Sequence, residues 1–384
     1  MEVLHTAYII KAKIDFENAD FDDLSKRDSY AEKTPTATLP FLETEYGNIS
    51  ESISIETFLA KKYKPELLGE NMFEKAKVNQ WIEFGACEIQ RCLKEIIYPI
   101  FQWKEYNKEL ADSENNKLKK YLLVLEKELS HGKKYILGDK MTLADIVLFR
   151  YLRFFMMFHF IEGLRNSLFK KVTKWFVNIM NTPEAIEAYG RTILCKKQIK
   201  PLNIKIDRTK RLEHYTKGKK DKNPLDSLPP SSFDLDSFKS SYLEQKPESK
   251  KEIMEKLWKE FDPKGYSLWW MEYQNLESEG KKLFRMNNSK NFFLERIDED
   301  FKDYALGVHG VYGNEGVYKV RGVWLWRGND IPKEIKENDY FNYMTIKKLD
   351  SNNKNDRQLV NDYWTKVNKG DKVEGKILTD LSYF

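Results

Sequence analysis

The most distinctive side chains of this chain are suited to binding more than to making or breaking bonds. Two segments, Lys264–Tyr273 (KGYSLWWMEY) and Arg321–Gly328 (RGVWLWRG), concentrate tryptophan, and six of the nine Trp lie beyond Leu257. In the second segment Trp324 and Trp326 alternate with Val323 and Leu325, so on a strand the two pairs face opposite sides. Such a sheet needs cover on both faces or keeps one adhesive face. Two readings follow. The Trp are core, or Trp269, Trp270, Trp324 and Trp326 line an aromatic groove for a protein partner. In the second case Arg321, Arg327 and Glu272 are its rim, since Arg and aromatic residues anchor interfaces.

Residues for covalent or metal chemistry are sparse. The three Cys (Cys87, Cys92, Cys195) form no CxxC, which points to reduced thiols in the cytosol and no disulfide framework. The five His are scattered without an HExxH or His/Cys cluster, so no metal site is expected. A GxxxxGK[ST] phosphate loop is absent from the sequence, and with it a nucleotide-binding signature.

The elements that must position these residues fall into two groups. A length of 384 residues suggests two cores, and 41% hydrophobic with 14% aromatic content supports packing over disorder. A net charge of +5 with 33% charged residues describes a mildly basic, soluble surface without an overall nucleic-acid signature. Met1–Asp15 has no small-residue cleavage site after an apolar core, so it does not read as a signal peptide. The most apolar stretch, Leu143–Ile161, carries Asp145, Arg150, Arg153 and His159. It reads as a buried helix and not as a membrane span.

The front reads α/β, then helical. Ile14–Phe16 is expected as a brief strand. Thr38–Leu42 and Tyr46–Ile49 are expected as two strands joined through Gly47-Asn48. Ser52–Lys62 has helical spacing, with Ile55, Phe58 and Leu59 on one face. Asn71 is read as the N-cap of one helix and Ser113 as that of another, with an apolar stripe at Leu118, Tyr121, Leu122, Leu125 and Leu129. Thr142 and Asp145 form an N-capping box before the central helix. A helix is expected over Leu168–Met180, and Thr182-Pro183-Glu184 starts one more. Lys196–Lys222 holds eleven Lys/Arg against three Asp/Glu and reads as a solvated linker, closed by Pro224, Pro229 and Pro230. Helices near Leu235–Leu243 and Ser249–Phe261 precede strand signals at Tyr266–Tyr273, Phe292–Ile297, Tyr304–Val308 and Val317–Trp326. That order suggests α+β with an antiparallel sheet.

Thr38-Leu39-Pro40, Glu51-Ser52 and the helical segment with Thr142-Leu143-Ala144-Asp145 resemble the glutathione transferase family over roughly Thr6–Lys197. The resemblance implies that Pro40 is cis and that the edge at Leu39 and Pro40 meets the glutathione cysteinyl group. It also implies that Glu51 and Ser52 hold the γ-glutamyl carboxylate, although the same pair would serve as a helix cap. The family's thiol-activating Tyr, Ser or Cys follows a first strand. Here Thr6–Lys13 aligns with the first helix, which places Tyr8 inside it and leaves no catalytic residue to assign.

Asp226-Ser227-Leu228-Pro229, Ser232–Lys239, Trp258, Phe261-Asp262, Gly265–Trp269, Glu272-Tyr273 and Gly322–Gly328 resemble the elongation factor 1-gamma family over roughly Asp226–Phe384. The combined layout is multidomain. It has a truncated thioredoxin-like part (1–64), an all-helical part (65–197), a Lys-rich linker (198–225) and an α+β domain (226–384). The resemblance implies a cytoplasmic, non-catalytic scaffold of the elongation factor 1B exchange complex, with no cofactor beyond glutathione at its vestigial site. The front domain would hold the exchange subunit, which acts on elongation factor 1-alpha, and the Lys-rich linker would lie near tRNA or the ribosome. Two rivals remain: an active glutathione or thiol transferase, and an RNA- or membrane-surface adaptor using Lys196–Lys222.

Overall fold

The computed structural model describes residues 2–17, 24–36, 38–201, 223–297 and 299–384. They divide into two units, Met1–Arg211 and Leu212–Phe384. The Lys-rich stretch from 202 to 222 lies outside the described residues. Just before it, Ile199 still packs with the first unit, its N–H bonding to Phe158 O at 2.9 Å.

The first unit opens with helices α1 (Glu2–Ile9) and α2 (Leu24–Lys33). A hairpin of β1 (Phe41–Thr44) and β2 (Gly47–Ser50) follows, then α3 (Ser52–Tyr63). Next come α4 (Met72–Glu83), α5 (Gln90–Ile96), α6 (Lys108–Glu128), α7 (Leu143–Phe158), α8 (Glu162–Leu168), α9 (Lys170–Met180) and α10 (Pro183–Tyr189). A π-helical turn, Phe84–Ile89, joins α4 to α5.

Helix α7 is buried all round, as its continuous apolar sequence predicts. Its start is fixed by Asp145. That carboxylate accepts from the N–H groups of Thr142 and Ile136 and from Trp175 Nε1, each at 2.9 Å, and from the Thr142 hydroxyl at 3.0 Å. Burial pushes the Asp145 carboxyl up, against these four bonds.

Several expected boundaries move. Residues 14–16 form no strand. The two-residue turn is Glu45-Tyr46, two positions before Gly47-Asn48. Thr44 closes it, donating to Gly47 O at 2.7 Å and accepting from Tyr46 N–H at 3.1 Å. Asn71 caps α4 as expected, but the cap of α6 lies six residues before Ser113, at Asn107, which accepts from Leu110 N–H.

The second unit contains α11 (Leu235–Glu244), α12 (Lys250–Glu260), β3 (Tyr266–Tyr273), α13 (Leu283–Leu294), β4 (Ala305–Tyr312) and β5 (Lys319–Arg327). It continues with α14 (Lys333–Lys336), β6 (Met344–Leu349), α15 (Lys354–Thr365), β7 (Lys372–Val373) and β8 (Lys376–Tyr383). The sheet is antiparallel, in the order β6-β3-β5-β4-β8-β7. Phe292 and Phe293, read above as part of a strand, belong instead to α13. Met286, Ser289, Lys290 and Phe293 recur there at three- and four-residue spacing and are buried.

Both faces of this sheet are covered. On one, Leu268, Val308, Val323, Leu325 and Leu349 pack with Phe238 and Tyr242 of α11, Met254 and Leu257 of α12, and Val360, Tyr363 and Trp364 of α15. On the other, α13 lays Phe293 against Trp324 and His309, with ring centroids 5.9 and 5.4 Å apart.

Candidate functional site

The hairpin register builds a corner at the open end of the first unit. Phe41 pairs with Ser50, so the residues just beyond, Leu39-Pro40 and Glu51-Ser52, leave the hairpin side by side. The Leu39–Pro40 peptide is cis. Glu51 stands at the N-cap position of α3 with φ 68° and ψ 121°, and its side chain makes no cap bond. A non-glycine residue held at positive φ costs about 1–3 kcal/mol, so the helix-cap reading does not explain Glu51. The first turn of α3 directs backbone N–H groups into the corner, an arrangement that suits a carboxylate. Tyr8 lies in the last turn of α1, as its alignment implied.

A buried ion pair supports the corner from behind. Arg150 Nη1 of α7 donates to both oxygens of Glu56 of α3 at 2.9 Å, and the Thr6 hydroxyl of α1 donates to Glu56 Oε1 at 3.2 Å. This cluster fastens α1 and α3 to α7. Beside it His5 is fully buried. Desolvation, and then the Arg150 charge, lower its pKa to about 3, so the ring is neutral. The sequence reading missed Glu56 as a partner. Its signal was Arg150 itself, a charge inside an apolar helix that needs a counter-charge. Burial and a bond to Glu114 push the Cys92 thiol up to about 12, and desolvation with a bond to Glu83 raises that of the exposed Cys87.

In the second unit burial decides between the two readings of Trp324 and Trp326. Both are 0% exposed and belong to the core. Their rings stack with centroids 5.2 Å apart at 3°. Trp324 Nε1 donates to His309 Nδ1 at 3.1 Å, which requires a neutral imidazole, and burial lowers His309 to about 3. Two glycines make room. A Cβ at Gly307 would lie 2.5 Å from the Trp324 ring, and one at Gly322 would lie 2.3 Å from His309 Nδ1.

The expected rim is also engaged internally. Arg321 donates to Glu272 and, at 3.2 Å, to Glu374, while Arg327 donates to Gly265 O at 2.6 Å and to Pro229 O. Trp269 and Trp270 are half-buried, and their indole N–H groups bond to Ser267 Oγ (2.9 Å) and Tyr363 OH (3.1 Å). The partner-groove reading therefore fails for Trp324 and Trp326 and finds no unengaged arginine at Arg321 or Arg327. Among the described residues no group of three or more metal-ligating side chains occurs, and no helix is long and apolar enough to cross a membrane.

A hairpin-and-helix unit with a cis-proline corner, followed by an antiparallel sheet unit, defines a two-domain protein with a glutathione transferase-like front. The description "Glutathione S-transferase, C-terminal domain" matches residues 89–183, and "Elongation factor 1 gamma, conserved domain" matches residues 220–330. Elongation factor 1-gamma of Prunus avium is 30% identical, the alignment covering 94% of this chain and 90% of that protein. Elongation factor 1-gamma of Artemia salina is 26% identical over 93% of this chain and 91% of that protein. The chain belongs to the elongation factor 1-gamma family. The solved GST-like domain of elongation factor 1-gamma from Saccharomyces cerevisiae aligns at TM-score 0.45 and 20% identity, covering 52% of this chain and 93% of that one.

Proposed function

We propose that this chain, a translation elongation factor by family, is a non-catalytic scaffold of the elongation factor 1B guanine-nucleotide exchange complex in the cytoplasm. Its first unit anchors the exchange subunit, which recycles elongation factor 1-alpha. The physical contribution is tethering: linked partners meet at a raised effective concentration. The observation that carries this reading is the division of labour between the units. The second unit spends its aromatic residues on its own core, and the first keeps an open corner on a rigidly fastened frame. Stretch 198–225, with its surplus of Lys and Arg, would then act as a spacer near tRNA or the ribosome. Affinity purification of the full chain with mass spectrometry tests the reading. Exchange subunit and elongation factor 1-alpha are expected, and their absence at low salt refutes it.

The corner supports a second reading, glutathione held without turnover. The side-by-side exit of Leu39-Pro40 and Glu51-Ser52 from the hairpin, and the positive φ of Glu51, favour it. Leu39 and Pro40 would present the backbone edge, Glu51 and Ser52 the carboxylate site. Calorimetry with glutathione and turnover of a generic electrophile separate the two readings: binding without turnover is expected, and turnover would make the chain a transferase.

A further inference from the structure

Helix α8 lies beside α6 and is fastened to it at both ends. Before α8, His159 Nε2 donates to Asn115 Oδ1 of α6 at 2.9 Å. After it, the N–H groups of Lys171 and Val172 donate to the Glu126 carboxylate of α6 at 2.8 and 2.9 Å. Between these clasps α6 and α8 make little contact. Leu123 of α6 stays 50% exposed there, and Ile161 and Leu168, at the two ends of α8, stay 40% and 47% exposed. Lysines surround these three side chains. Lys119 and Lys127 stand four residues to either side of Leu123, and Lys170, Lys171 and Lys174 follow Leu168. Among the described residues none of these five ammonium groups is paired with a carboxylate. Elsewhere on α6 the charges are matched, Lys117 with Glu114 at 2.6 Å and Glu128 with Lys133. Of the acids nearest the patch, Glu126 is spent on the N–H groups of α9, which leaves Glu162, exposed in the first turn of α8. The patch is therefore apolar at its centre and positive at its border.

We propose that the surface between α6 and α8 is a docking site for an acidic, amphipathic helix of the protein partner that the first unit holds. The inference rests on the anchoring function proposed above. Ile161 and Leu168 are seven residues apart, about 10 Å along a helix. That is the span of apolar anchors at i and i+7 on a partner helix, with Leu123 facing the residues between them. Asp and Glu on the borders of such a helix would meet Lys119 and Lys127 on one side and Lys170, Lys171 and Lys174 on the other. Charge complementarity of this kind steers encounter and fixes orientation more than it adds affinity. Other anionic partners fit less well. RNA would neutralise the lysines and leave the three aliphatic side chains without a counterpart, since single strands are held by stacking on aromatic rings. A bilayer surface favours aromatic anchors at headgroup level, and none of the three is aromatic.

Calorimetric titration of the full chain with the elongation factor 1B exchange subunit tests the surface. The double variant Lys127→Glu/Lys174→Glu changes two exposed, unpaired side chains. It is expected to weaken binding at least tenfold and to flatten its dependence on salt. Lys75→Glu/Lys94→Glu makes the same change of net charge at exposed positions of α4 and α5, and should bind as the wild type does. Leu123→Asp should also weaken binding at least tenfold. A second measurement needs no variant: zero-length carbodiimide cross-linking of the wild-type complex should join Lys127, Lys170 or Lys174 to Asp or Glu of the exchange subunit. If the wild-type chain binds no exchange subunit, the anchoring function fails and this inference with it. If it binds, but the surface variant binds equally and no such cross-link forms, the docking site alone is overturned. Equal losses in the surface and control variants would reduce the effect to net charge and also overturn it. So would a loss in the surface variant confined to binding of phosphatidylserine vesicles or of single-stranded RNA, which would give the surface to a membrane or to RNA.

Discussion

The two-stranded hairpin of the first unit and the six-stranded sheet of the second differ in what surrounds their strands. In the larger sheet β5 has neighbours on both sides, apolar side chains on both faces, and glycines where its largest rings need space. In the hairpin, β1 is bonded on one side only, and a buried ion pair between helices carries the rigidity that the strands do not. The difference teaches where to look for function. Trp324 and Trp326, which stand out in the sequence, are structural, and the corner at Leu39-Pro40 and Glu51-Ser52 lies in the plainer half.

Removing what holds each unit should break that contrast most sharply. Trp324→Ala is expected to destabilise the second unit by about 3–5 kcal/mol. Glu56→Ala should cost the first unit a similar amount, about 3–5 kcal/mol, because the buried Arg150 guanidinium loses its carboxylate. Hydrogen exchange resolved by unit checks both, and each variant should leave the other unit unchanged. A smaller effect, about 1–3 kcal/mol, is expected for Gly307→Ala, where the new methyl meets the Trp324 ring; thermal unfolding measures it.

The smallest effect is one of pH. His5 and His309 are both buried and neutral, with pKa values lowered to about 3 from an ordinary 6.5. The unfolded chain binds these protons first as the solution becomes acidic. Stability is therefore full above about pH 6.5 and declines as the pH falls toward 3. Among the described residues the two His5 ring nitrogens meet no hydrogen-bond partner, so His5→Phe should remove the share of this decline that belongs to the first unit without sacrificing a bond. Melting curves at pH 7.5 and 5 read the change, and an unaltered slope would count against a neutral His5.

Much of this organisation was legible before any coordinates. Strand β3 matches its expected bounds, Tyr266–Tyr273, because an aromatic, apolar run begins just after Gly265. The box at Thr142 and Asp145 was legible because capping is local. The start of α6 was not, because its first turn, Lys108–Ala111, precedes the apolar stripe that marks the rest. Strands β6 to β8 went unread. An edge strand such as MTIKKL carries lysines where a central one carries apolar residues, so it resembles a loop. The pairing of Glu56 with Arg150 joins residues far apart in sequence, which no local pattern records. Burial of Trp324 and Trp326 could be argued from alternation alone, but only the covering helices decide it.

The Trp324–Trp326 stack also gives the molecule an optical label of its own. Two indoles 5.2 Å apart and within 3° of parallel couple their electronic transitions. One of them hands its N–H to an imidazole, a group that quenches indole emission far more strongly once it becomes cationic. The coupled near-ultraviolet circular dichroism of this pair therefore reports on the interior of the second unit, whereas emission also carries Trp81, Trp103 and Trp175 of the first. Loosening of that unit can be timed in the intact chain, with no dye attached and while the first unit remains folded.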